Sequence, residues 1–117
     1  MSYPNISKIA PDFNSYANKL KTKIKEHIKN TGIELVSFEK NYYYVSGFLK
    51  KNNEFVYFST SDYRNIFKND KILIRTAKNN KDFTGGRNNF TSINDFGNNI
   101  NKLFTEICWQ TIQNRVY

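Results

Sequence analysis

Four cations stand in or beside one short polar loop. Arg75, Lys78, Lys81 and Arg87 fall within Lys71 to Phe90, KILIRTAKNNKDFTGGRNNF, which also carries the adjacent glycines Gly85 and Gly86. Guanidinium and ammonium groups bind phosphate, and a glycine-containing loop lets backbone N–H groups approach it. Thr91 and Ser92 follow, where a helix is expected to begin, so that loop, N–H groups and helix dipole would address one anion. The segment is not a P-loop, because Thr84, Gly85, Gly86 and Arg87 are followed by Asn88 and no Gly-Lys-Ser/Thr occurs. A dinucleotide fingerprint is also lacking. The competing account is a plain turn whose glycines supply positive φ.

Residue types for other chemistry are sparse. The chain has one histidine and one cysteine. Together they make neither a disulfide nor an ordinary structural zinc site within one chain. His27 reads as a packed helix residue and Cys108 as a small core residue. The carboxylates Glu34, Glu39, Glu54, Asp62 and Asp82 show no spacing that announces a metal nuclease. No catalytic residue, metal or cofactor is therefore assigned. One enzymatic reading stays open: a metal-independent ribonuclease toxin, in which Arg75, Lys78, Lys81, Arg87 and a strand tyrosine stabilise charge developing on phosphate while the RNA 2′-hydroxyl attacks.

These residues need elements to position them. After a lead over residues 1–11, ending at Pro11, helical spacing begins at Asp12. Phe13, Tyr16, Ala17, Leu20, Ile24, His27 and Ile28 share one face, and Gly32 marks the stop. Opposite them, Lys21, Lys25 and Lys29 form an i, i+4, i+8 row, either a solvated face or a phosphate-tracking stripe. Strands are expected over Ile33–Glu39, Tyr42–Leu49, Glu54–Thr60 and Ile72–Ala77, with a turn at Lys50 to Asn53 and a polar connection from Asp62 to Asp70. Ser92 and Asp95 resemble a capping box that opens a final helix reaching about Arg115. Its apolar face is Ile93, Phe96, Ile100, Leu103, Phe104 and Ile107, and Gly97 at the edge of that face permits close helix packing. The expected fold is one α+β domain over residues 1–117: helix, four-stranded antiparallel meander, helix, with both helices on one face of the sheet.

Such a sheet leaves a second face. Val45, Gly47, Leu49, Val56, Phe58, Ile72 and Ile74 form the inner set. Tyr42, Tyr44, Ser46, Phe48, Phe55, Tyr57, Leu73 and Arg75 then point outward. Aromatics beside an arginine on an open sheet face stack bases in RNA-recognition modules. Burial in a homodimer is the alternative. On the final helix, Trp109, Ile112 and Val116 project away from the inner face at i, i+3 and i+7, a surface for a protein partner.

Totals weigh toward an anionic partner. Of 117 residues, 18 are Lys or Arg and 10 Asp or Glu, for a net charge of +8. That balance favours phosphate-rich partners, although Asn, Lys, Ile, Tyr and Phe all have AT-rich codons. No apolar run reaches the length of a signal peptide or a membrane span. The reading is a small basic, non-enzymatic protein that binds nucleic acid or a nucleoprotein complex in the cytoplasm, of a size and composition suited to a phage or mobile-element accessory role. The alternative from another class is an inhibitor that docks on a host nucleic-acid enzyme or defence complex through the C-terminal helix.

Overall fold

A computed structural model describes residues 6–65, 71–82 and 87–116, with side chains described over 12–64, 71–82 and 87–106. The order is α1 (Ile6–Ile28), β1 (Glu34–Lys40), β2 (Val45–Lys51), β3 (Glu54–Thr60), a short 3₁₀ turn (Tyr63–Asn65), β4 (Ile72–Ala77), β5 (Asn89–Thr91) and α2 (Phe96–Val116). The strands form one antiparallel sheet in sequence order, β1 to β5. The protein is thus α+β, with five strands among the described residues rather than four. The fifth has three residues, too short for alternation to reveal it.

Both helices form where the 3.6-residue period placed them, with shifted ends. α1 begins before Pro11 and runs through it; the missing proline N–H removes one bond, to the Ser7 carbonyl, near the helix start. At the other end, Asn30 and Gly32 take φ of 62° and 81°, and Thr31 Oγ1 donates to the Ile28 carbonyl at 2.6 Å. Before α2, Ser92 Oγ accepts from the Asp95 N–H and donates to its carboxylate, each at 3.2 Å. This closes a turn just ahead of the helix.

The sheet residues in the core come from one face. Val45, Leu49, Val56, Phe58, Ile72 and Ile74 are buried with Phe13, Ala17, Leu20, Ile24 and Ile28 of α1 and with Phe96, Ile100, Leu103 and Phe104 of α2. Gly47 lies among them for a steric reason. A Cβ there would overlap the Ser37 carbonyl oxygen and come within 2.7 Å of Phe58 Cζ. The close approach accompanies a bulge at Val36, which switches the β1 register between Leu35 and Ser37.

Tyr42 and Tyr44 are not strand residues. They lie in the β1–β2 connection, because Asn41 N–H bonds the Tyr44 carbonyl at 2.8 Å and Tyr43 between them takes φ of 61°. Tyr43 points into the core and is buried.

Candidate nucleic-acid interface

Register shows what shares the outer face. Ser37, Phe48, Tyr57 and Arg75 lie opposite one another in a row across four strands. A second row is Glu34, Lys50, Phe55 and Ala77, and a third is Glu39, Ser46, Ser59, Leu73 and Phe90. The row of most interest is not an open platform. Phe48 is only 9% exposed, with its ring 5.2 Å from that of Tyr57. It therefore offers no free face to a base. Tyr57 and Arg75 are half-buried. Phe90, which no periodic signal in the sequence singles out, is 61% exposed.

Tyr42 and Tyr44 sit at one end of the sheet and are exposed. There Arg64 holds its guanidinium 4.3 Å from the Tyr43 ring centre and 5.2 Å from that of Tyr42. Arg64 is also clamped by Asp62: Nη2 lies 2.6 Å from Oδ2, Nε lies 3.0 Å from Oδ1, and the Arg64 N–H reaches Oδ1 at 2.8 Å. The bonds from Arg64 hold the Asp62 carboxyl below the usual carboxylate range and raise Arg64 further above its own. With its charge matched locally, Arg64 contributes little to a basic surface.

The opposite end gathers cations. β2 turns into β3 at Asn52, whose φ of 56° suits asparagine. Phe55, near the start of β3, pairs with Ala77 at the end of β4. The β2–β3 turn, with Lys50 and Lys51, and the β4–β5 connection, with Lys78 and Lys81, therefore leave the sheet side by side. The C-terminus of α1 leads to the same end, because Glu34 pairs with Lys50 and Gly32 lies against Lys51. Lys29, Lys78, Lys81 and Arg87 are exposed there, whereas Lys50 and Lys51 are partly exposed; Glu34, Glu54 and Asp82 are the carboxylates. The Lys78 N–H closes onto the Asp82 carbonyl at 2.8 Å, and the Lys81 N–H onto Asn79 Oδ1 at 2.8 Å. Sequence order alone does not unite the two loops; only strand pairing does.

The helix-terminus expectation is corrected. β5 and the turn after it separate Arg87 from Phe96, the first residue of α2. Arg87 therefore leads into β5 and not directly into α2. Gly85 and Gly86 lie outside the described residues, as do the side chains of Trp109, Ile112 and Val116. Lys21 and Lys25 on α1, and Lys29 just after it, are exposed, with Lys21 Nζ 5.5 Å from the Phe38 ring centre over the β1 side.

Among the described residues, no helix is long and apolar enough to cross a membrane, and no three His, Cys, Asp or Glu side chains converge as a metal cage requires. Compared with protein families, curated proteins and solved structures, the chain shows no significant match.

Proposed function

We propose that this protein is a non-enzymatic nucleic-acid-binding module. Its contact is the sheet end formed by Lys50 and Lys51 of the β2–β3 turn, Lys78 and Lys81 of the β4–β5 connection, and Arg87. One observation carries the reading. The Phe55–Ala77 pairing brings two basic segments, distant in sequence, to one end of the sheet, where Lys29, just past the end of α1, also lies. Exposed ammonium groups clustered on one end track a phosphate backbone and release counterions. The decisive experiment is an anisotropy titration with single- and double-stranded DNA and RNA over a range of salt. Affinity falls steeply with salt if lysines meet phosphates. Absence of binding at low salt removes the reading.

A second reading, metal-independent RNA cleavage, is favoured by one feature, Tyr57 directly opposite Arg75 on the outer face. Its test is RNA incubated with purified protein; intact RNA after hours rejects it.

A further inference from the structure

The bulge at Val36 sorts the charges of β1. Glu34 pairs with Lys50 and Glu39 with Ser46, both on the outer face, while Lys40 pairs with the buried Val45 and so takes the helix side. In a regular strand with Glu34 outward, Lys40 would also point outward and Glu39 would face the helices. The extra residue exchanges them. Above this edge of the sheet, Lys21, Lys25 and Lys29 stand one turn apart on one side of α1, spanning about 12 Å. Lys21 Nζ lies 5.5 Å from the ring centre of Phe38, a helix-side residue of β1, so the row follows the β1 edge. The Lys29 N–H bonds the Glu26 carbonyl at 3.4 Å, which carries the row past the last turn. Lys51 comes next, with Cε 3.9 Å from where a Gly32 Cβ would stand. Lys40, Lys21, Lys25 and Lys29 are exposed and Lys51 partly so. Among the described residues, none of the first four forms an ion pair. Glu26 borders the row one turn before Lys29.

We propose that a nucleic-acid backbone runs from the cationic sheet end along this edge, in contact with Lys51, Lys29, Lys25, Lys21 and Lys40 in turn. This rests on the nucleic-acid reading and names what the site recognises: phosphates in line, whatever the bases. Ammonium groups on long stems meet phosphates as point charges, and phosphate contacts carry no sequence information. A helix face that is only solvated has no need of a clear border. Here the two carboxylates of β1 that could neutralise the row are turned to the opposite face of the sheet, and its one lysine beyond the row is turned toward it. From Glu34 to Lys40 the strand rises about 20 Å at about 3.3 Å per residue, the axial length of about six base pairs. Lys19 and Lys23 are exposed on the other flank of the same helix, about 160° around it from Lys21 and Lys25, and lie outside the track.

The test uses two labelled probes, a DNA duplex of about 20 base pairs and an RNA strand of about 20 nucleotides, each several times longer than the track's span of about six base pairs. The slope of log affinity against log salt is measured for three double variants. Lys21→Gln/Lys25→Gln lowers the slope by about two on the duplex, and affinity near physiological salt falls by more than about tenfold, as expected when two phosphate contacts are lost. Lys19→Gln/Lys23→Gln makes the same charge change on the other flank and leaves the slope within about 0.5 of wild type. Lys50→Gln/Lys51→Gln lowers the slope by about two, and combined with Lys21→Gln/Lys25→Gln the losses add. All the substituted side chains are at least partly exposed, and a thermal melt of each variant confirms an intact fold. Equal losses from the two helix variants, which would mark a diffuse field and not a contact, or no loss from Lys21→Gln/Lys25→Gln, overturn the inference. The nucleic-acid reading still stands in that case if Lys50→Gln/Lys51→Gln lowers the slope. Failure of wild type to bind either probe at low salt overturns both.

Discussion

Gly97 of α2 faces the ring of His27 on α1 so closely that a Cβ at position 97 would lie 2.8 Å from His27 Nδ1. The two helices approach each other at this point because one of them lacks a side chain there. The His27 ring also meets Phe96, with centres 6.0 Å apart. A packing role accounts for the only histidine without any catalytic one.

Gly97→Ala sets two effects against each other. Helix propensity favours alanine by about 1 kcal/mol, but overlap in a packed contact costs about 1–3 kcal/mol. The overlapping atoms belong to the base of the imidazole, which cannot swing aside freely, so the substitution destabilises wild type. In a His27→Ala background the overlap is gone, and Gly97→Ala stabilises. Urea unfolding of the four proteins checks the reversal of sign.

Tyr43 carries a buried hydroxyl without a hydrogen-bond partner. Its ring is wedged between Phe13, at 5.8 Å between centres, and Tyr42, at 4.8 Å. A buried polar atom left unbonded costs about 1–3 kcal/mol. Tyr43→Phe keeps the ring and removes that cost, so the melting temperature should rise by several degrees, as expected for about 1 kcal/mol in a domain of this size. A fall would show that the hydroxyl has a partner in solution.

Much of the fold was legible because it is written in periodicity. The face of α1, the inner set of β2 to β4 and the boundaries Glu54–Thr60 and Ile72–Ala77 follow from spacing alone. Three features were not. The bulge at Val36 changes which β1 residues face the core, and a single inserted residue leaves no periodic trace. Tyr42 and Tyr44 look like strand residues by composition, but the turn around Tyr43 takes them out of the ladder. β5 is three residues long, and without it Arg87 falls at a helix start. The cationic end was only half visible, since Lys50 and Lys51 read as turn residues until pairing sets them beside Lys78.

Asp62 should titrate in acid, below the usual carboxylate range, because Arg64 hydrogen-bonds its ionised form. The unfolded chain then binds the proton more readily than the folded one. The stabilisation is complete above about pH 3.9, the ordinary aspartate value, and is lost as pH falls through the lower folded value. Carboxyl-carbon NMR shifts against pH measure the folded value directly. Arg64→Gln should return it toward the ordinary range, with little change in stability at neutral pH, since the pair is at the surface.

Arg75 and Arg87 should act separately on nucleic acid. Arg75 stands opposite Tyr57 on the outer face. Arg87 lies two residues before β5, outside the ladder, so no strand register sets it beside Arg75. With β5 and a turn between Arg87 and α2, no shared helix start draws the two guanidiniums onto one phosphate. Arg87→Ala should therefore weaken binding by roughly 1–3 kcal/mol, the range of charged hydrogen bonds. Its effect on stability should stay under about 0.5 kcal/mol, because the side chain is exposed. Arg75→Ala should lower the melting temperature as well, because this residue is half-buried within a strand. In a double-mutant cycle on binding, the two should add to within about 0.5 kcal/mol. A larger coupling would place both on one phosphate. Neutralising Lys50 and Lys51 gives the matching control: for every phosphate left without its lysine, the slope of log affinity against log salt should fall by about one, whichever face the strand follows.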